Sequence, residues 1–227
     1  MFNSQTQDGY SICIPTKFFG YKMTEFIGCG GTCIVVKVID ESTNKEYAAK
    51  IISTQNVEEK NMTNSVEREI QVLEKLNHPN IIKIQETFKL RTKEDEFYVI
   101  VMEYCDKGDL LTYALKHLFK SEYEKKKIIY DVLDAIRYLH SKGISHGDIK
   151  SENILLDSNY NPKLCDFGFC RTTKYAGDNS KNGTLYYAAP ELFVKGRFES
   201  QKADIWAVGI LLYSLFELQF PFKDGKQ

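Results

Sequence analysis

Asp148 and Asn153 lie in one short run, His146-Gly147-Asp148-Ile149-Lys150-Ser151-Glu152-Asn153. A carboxylate so placed can orient an attacking hydroxyl and take its proton, and a carboxamide oxygen can ligate a hard cation such as Mg²⁺. Asp166, in Asp166-Phe167-Gly168, adds a second carboxylate just after the next strand-like run. Taken singly, such residues are turn formers, because turns favour Asp, Asn and Gly. Their joint order is what metal-assisted phosphoryl transfer requires.

Further upstream, Gly28-Cys29-Gly30-Gly31-Thr32-Cys33 lies between two strand-like runs. Glycines let a backbone bend sharply and approach phosphates with no Cβ in the way. Alone, the segment is a weak signal and reads more readily as a Gly-rich hairpin turn. It is not a dinucleotide fingerprint, since a strand and not a helix follows it. Lys50 ends the strand-like Tyr47-Ala48-Ala49-Lys50 and can reach α- and β-phosphates if its flexible stem is held. Glu69, on the flank of the next apolar stripe, is its natural partner. Each charge by itself reads as a solvated surface group.

The elements that must position these residues fall into two sets. Tyr21–Ile27, Cys33–Ile39, Tyr47–Ile52, Ile81–Phe88 and Phe97–Tyr104 are short and rich in β-branched or aromatic residues, which predicts strands. Asp40–Lys45 and Arg91–Glu96 are the turns among them. Val66, Ile70, Leu73 and Leu76 mark one helix, ended by Asn77-His78-Pro79. Later, Ile128, Val132, Ile136 and Leu139 predict an amphipathic helix stopped near Gly143. Ile205–Leu218 is apolar almost all round, as in a helix buried on every side. Between them Ile154–Leu156 and Lys163–Cys165 form a hairpin turned by Asn159–Pro162. The expected architecture is α+β, a strand-rich part followed by a helical part, joined near Cys105–Gly108.

Composition narrows the class of protein. With 227 residues the chain can bury a sizeable core. Lys plus Arg number 30 and Asp plus Glu 31, so no broad basic surface for nucleic acid is expected. None of the six cysteines forms a Cys-x-x-Cys pair and no His stands at zinc-finger spacing. The first residues lack the basic and apolar regions of a secretory signal, and residue 2 is Phe, which excludes myristoylation. No run of about 18 apolar residues predicts a membrane span. A reduced, cytoplasmic protein is the expectation.

Over roughly Tyr21 to Phe222 the chain resembles the eukaryotic protein kinases: Gly-rich loop, strand Lys, helix Glu, catalytic loop, Asp-Phe-Gly and Ala189-Pro190-Glu191 stand in sequence. The resemblance implies a two-lobed protein kinase-like fold, with a small antiparallel-sheet N-lobe carrying one helix and a mainly helical C-lobe lacking its last helices. It implies an N-terminal extension over 1–20, an ATP-binding lobe over 21–105 and a catalytic lobe over 106–227. It implies ATP and Mg²⁺ as cofactors and a protein substrate with Ser or Thr. Lys50, paired with Glu69, would hold the ATP phosphates, beneath Ile27, Gly28 and Gly30. Val35, Ala48 and Leu155 would enclose the adenine. Met102 would be the gatekeeper, while Glu103 and Cys105 would present hinge backbone groups. Asp148 would be the base, Lys150 would steady the phosphate in transfer, and Asn153 and Asp166 would bind Mg²⁺. Asp204 would anchor the catalytic loop. Leu73, Ile84, His146 and Phe167 would stack as the regulatory spine.

Lys150 and Gly183-Thr184 match the Ser/Thr branch of the family, with Thr184 in the catalytic set. The hinge and Tyr187–Glu191 look most like the calmodulin-dependent group. Asp109, at the edge of the ATP site, and Glu152 would favour basic residues upstream of the phosphosite. Two rival readings are a small-molecule kinase, whose catalytic loop often reads His-Gly-Asp, and a pseudokinase acting as a scaffold. Lys150 and the Asp204–Gly209 motif speak against the first; retention of Lys50, Asp148, Asn153 and Asp166 speaks against the second.

The sequence departs from the family at three places. Cys33 replaces the third loop glycine, which costs on the order of 1 kcal/mol if a positive φ is needed there. Gly147 replaces the Arg that would pair with a phosphate on the activation segment. Activity is therefore expected not to depend on phosphorylation of Thr172, Thr173, Tyr175 or Ser180 through that contact. Finally, the chain ends at Gln227, soon after Pro221-Phe222. Trp206, Leu211, Leu215 and Phe216 are then expected to be partly exposed, with a partner or a further segment covering the 205–218 helix.

Overall fold

The computed structural model describes residues 1–93, 95–172, 175–177, 185–194 and 196–222. The chain forms two compact units, Met1–Lys75 with Lys83–Tyr104, and Leu76–Ile82 with Cys105–Gln227.

The first unit begins with a hairpin of β1 (Phe2–Gln5) and β2 (Ser11–Ile14). Then come β3 (Lys17–Phe18), β4 (Tyr21–Cys29), β5 (Cys33–Asp40) and β6 (Glu46–Ser53). Two helices follow, α1 (Thr54–Glu59) and α2 (Thr63–Leu73), before β7 (Ile84–Arg91) and β8 (Glu96–Glu103). Strands β3 to β8 make one six-stranded antiparallel sheet in the order β3-β4-β5-β6-β8-β7.

Period-two alternation puts two different cores on the two faces of this sheet. On one, Ile34, Val36, Val38, Ile51, Val99 and Val101 pack with Ile12, Ile14 and Phe18 from the first eighteen residues. On the other, Ile52, Tyr98 and Ile100 pack under Val57 of α1 and Val66 of α2. Each fully buried aliphatic contributes roughly 1.5–3 kcal/mol of transfer free energy. Ile12, Ile14 and Phe18 thus tie the first twenty residues to this core. Helix α1, too short to be read from its pattern, starts at Ser53, whose hydroxyl accepts from the Asn56 N–H at 3.3 Å.

In the second unit, α3 (Leu110–Leu115) is capped by Asp109, whose carboxylate accepts from the Thr112 N–H and hydroxyl, each at 2.8 Å. Helix α4 (Glu122–Ser141) buries Ile128, Val132, Ala135, Ile136 and Leu139 along one stripe. The small hairpin of β9 (Ile154–Leu156) and β10 (Pro162–Leu164) follows, and β11 (Tyr175–Gly177) pairs antiparallel with β12 (Arg197–Glu199). Helix α5 (Ser200–Glu217) is the last described element.

Two expectations are corrected here. Ile81 and Ile82 are not in a sheet strand with Phe88. The Ile82 N–H donates to Leu164 O at 2.9 Å, which draws this segment onto β10, and β7 starts only at Ile84. Nor are Leu211 and Leu215 partly exposed: they are 0% and 3% accessible and face inward. Trp206 and Phe216 are partly exposed as expected, and the open face of α5 also carries Ile205, Leu212 and Tyr213.

Candidate functional site

In the first unit, β6 runs opposite β5 with Val35 facing Lys50, and opposite β8 with Lys50 facing Ile100 and Ala48 facing Met102. Alternation along β6 turns Lys50 to the same side as Ile52, the side covered by α2. There its ammonium lies 2.7 Å from Glu69 Oε1, with the Glu69 side chain only 4% exposed. A half-buried ammonium paired with a buried carboxylate is a held cation, not a freely solvated one.

Between β4 and β5 the Gly-rich turn is closed by the Gly30 N–H donating to Cys33 O at 2.8 Å. Gly28, Gly30, Gly31 and Cys33 all lie outside the left-handed region. The strain expected at Cys33 is therefore absent, and Cys33 simply begins β5. Ile27 is 45% exposed beside the turn. At the far end of β8, Glu103 exchanges contacts with Lys83: its N–H donates to Lys83 O, and its carboxylate accepts from the Lys83 N–H at 2.8 Å.

In the second unit the polar run of residues 146–153 is held from several directions. The buried carboxylate of Asp204 on α5 accepts from the His146 N–H at 2.8 Å and from the Gly147 N–H at 2.9 Å. His140, in the last turn of α4, contacts the same carboxylate at 2.8 Å. His146 Nδ1 accepts from the Asp148 N–H at 3.2 Å, so its ring proton sits on Nε2 and is donated to Cys165 O at 3.0 Å. The ring meets Phe167 edge-on, centroids 4.8 Å apart.

This scaffold presents Asp148, 5% exposed. The Asn153 amide nitrogen donates to Asp148 O at 2.8 Å and Oδ2 at 2.9 Å, and Lys150 Nζ lies 2.7 Å from Oδ2. With both amide hydrogens so used, the other terminus of Asn153 is an oxygen, the atom a hard cation takes. The Cys165 N–H donates to Asn153 O at 2.9 Å, and Asp166 follows Cys165 in the chain. Asp166 adopts φ 61°, a conformation Asp tolerates better than most residues. The donor chemistry of Asn153 and Asp166, all oxygen, fits Mg²⁺. Cys105 and Leu155 belong to this unit too. Residues 105–109 are tied to β9 through Leu156, whose N–H donates to Gly108 O at 2.8 Å.

The protein kinase domain family matches residues 21–227. The chain belongs to the protein kinase family. Among its relatives is the serine/threonine-protein kinase RUNKEL of Arabidopsis thaliana, 36% identical over 205 residues, 89% of this chain and 14% of that protein. Serine/threonine-protein kinase cds1 of Schizosaccharomyces pombe is 30% identical over 234 residues, 98% of this chain and 50% of that protein. NUAK family SNF1-like kinase 1 of Homo sapiens is 35% identical over 209 residues, 90% of this chain and 30% of that protein. The chain thus spans half or less of the length of these relatives.

Within this kinase domain the departure at Gly147 has a structural counterpart. Its φ is +83°, and a Cβ there would stand 2.5 Å from Phe169 O. Tyr187 reaches the polar run as well: its hydroxyl lies 2.9 Å from Ser151 Oγ, and burial pushes the phenol up. Thr184, Thr173 and Ser180 lie outside the described residues; Thr172 is exposed. Sequence reasoning missed His140, which shares the Asp204 carboxylate. Its signal was at best its place in the last turn of α4, just before the catalytic run. Among the described residues no helix is long and apolar enough to cross a membrane.

Proposed function

We propose that this kinase domain transfers the γ-phosphate of ATP to Ser or Thr hydroxyls of a protein substrate. The observation that carries the reading is the environment of Asp148: a buried carboxylate, fixed by Asn153 and Lys150, on a loop whose backbone hangs from Asp204. A carboxylate held this way can orient a hydroxyl and accept its proton as the phosphate bond forms. Lys150, beside it, balances charge on the phosphoryl group in flight. Lys50, steadied by Glu69, binds the α- and β-phosphates, with the loop of Gly28 and Gly30 over them. Asn153 and Asp166 would hold Mg²⁺, which when bound neutralises phosphate charge.

In this reading Ala48, Val35 and Leu155 enclose adenine and Met102 is the gatekeeper, while Glu103 and Cys105 offer backbone groups at the hinge. Ile27 and Asp109 sit at the rim, although Asp109 already caps α3. Thr184 belongs to the catalytic set by its place in the Gly-Thr pair. The hinge and Tyr187–Glu191 pattern supports the calmodulin-dependent group, with a cytoplasmic location and a preference for basic residues upstream of the phosphosite.

The test is transfer of labelled phosphate to a mixed Ser/Thr peptide library by wild type and by Asp148→Asn. Loss of a positioned base lowers turnover by about 10²–10⁴. The variant should keep its melting temperature and its Mg-ATP affinity. No transfer by folded wild type would favour a scaffold in place of an enzyme.

A further inference from the structure

The first twenty residues carry no recognisable motif, yet their tip touches the Gly-rich loop. The tip is a tight turn over residues 6–10: the Thr6 N–H donates to Tyr10 O at 2.9 Å, and the Tyr10 N–H to Thr6 Oγ1 at 3.1 Å. Gly9 supplies the left-handed residue, φ 85°. Thr6 is 5% exposed, and Ile12 and Ile14 anchor the hairpin in the core, so the tip does not swing freely. Phe2 of the same hairpin faces Phe26 of β4, ring centroids 6.1 Å apart.

Two contacts leave this tip for the loop. The Gln7 N–H donates to Gly30 O at 2.9 Å. The Asp8 carboxylate lies so close to Gly31 that a Cβ there would be 2.9 Å from Oδ2. The same carboxylate forms an ion pair with Lys60, whose ammonium also lies 5.1 Å from the Tyr10 ring. Lys60 is the C-cap of α1 and stands just before α2, the helix that carries Glu69. One carboxylate therefore meets both the turn between β4 and β5 and the end of α1.

We propose that Asp8 is a positioning residue for the Gly-rich loop, holding it through Gln7 and Gly31 on one side and Lys60 on the other. The idea rests on the reading of residues 28–33 as the phosphate loop. A loop held in one arrangement binds nucleotide without first being ordered, so its release should weaken ATP binding more than turnover. The ion pair is partly exposed, with side-chain accessibilities of 48% for Asp8 and 27% for Lys60, so its effect is modest and sensitive to salt.

The experiment compares the wild-type chain with Asp8→Ala, Lys60→Ala, the double variant and the exchanged pair Asp8→Lys with Lys60→Asp. Deleting the hairpin is avoided, because it would remove Ile12 and Ile14 and expose the apolar sheet face they cover. We expect KM for ATP to rise about two- to five-fold in each single variant, with kcat nearly unchanged. The double variant should be no worse than either single one, and the exchanged pair should recover part of the loss. The difference should vanish at about 1 M salt, where the screening length is about 3 Å. Amide hydrogen exchange at residues 29–33 should accelerate in the single variants, with or without nucleotide. Unchanged loop exchange and unchanged KM would overturn the proposal, as would a fall in melting temperature with neither effect. If wild type bound no Mg-ATP, the phosphate-loop reading would fail. The exchange measurement would still decide whether Asp8 holds the loop.

Discussion

At Gly147 three constraints meet in one residue. Its N–H is committed to Asp204, its φ is +83°, and the Phe169 carbonyl fills the space a side chain would need. A non-glycine residue in the left-handed region costs about 1–2 kcal/mol before any clash is counted. Gly147→Arg, which restores the residue usual in the family, should therefore lower the melting temperature by several degrees and reduce activity. It should not confer dependence on activation-segment phosphorylation. A variant as stable as wild type, and newly inhibited by phosphatase, would overturn this. The roles of Asp148, Asn153, Lys50 and Glu69 were legible because few residue types can do each job and their order along the chain is restrictive. Asp8 and His140 were not, because their importance comes only from what the fold brings beside them.

Among the elements, the turn between β5 and β6 offers a pH test. Asp40 accepts from the Ser42 hydroxyl at 2.7 Å, from the Thr43 hydroxyl at 2.8 Å and from the Ser42 N–H at 2.8 Å. These bonds, the Ser42 hydroxyl first, hold its carboxyl down at about 2, below its ordinary 3.8. Because the folded value is the lower one, the stabilisation is complete above the ordinary value and fades as pH falls toward about 2. The melting-temperature gap between wild type and Asp40→Ala should accordingly be constant near neutrality and narrow through that acid window. A gap independent of pH would contradict it. Strand positions were read well where β-branched and aromatic residues are dense along an eight-residue strand, as in β5, β6 and β8. The β1–β2 hairpin and α1 escaped because four- and six-residue elements are too short to show a period.

For the molecule as a whole, charge and surface point the same way. The formal net charge is −1 and the sequence pI about 6.4, so little repulsion keeps copies apart near neutral pH. Ile205, Leu212 and Tyr213 are 52%, 42% and 41% exposed along one helix. Light scattering should therefore peak near pH 6.4. It should drop in Ile205→Ser/Leu212→Ser, whose stability should shift by no more than about 0.5 kcal/mol per substitution. Scattering insensitive to both pH and these substitutions would refute the idea.

The path of the chain has its own consequence. The first unit is interrupted by Leu76–Ile82, which belongs to the second, so the backbone passes from one unit to the other three times. No contiguous stretch of sequence can be lifted out as the first unit alone, and recombination at any single point within residues 1–104 would divide it. A cut near Pro79 would leave β6 and β8 on separate fragments that still share a ladder from Tyr47 opposite Glu103 to Ser53 opposite Phe97. The two pieces would carry matching edges, which makes that site a place to build a split reporter whose halves recognise each other by strand register.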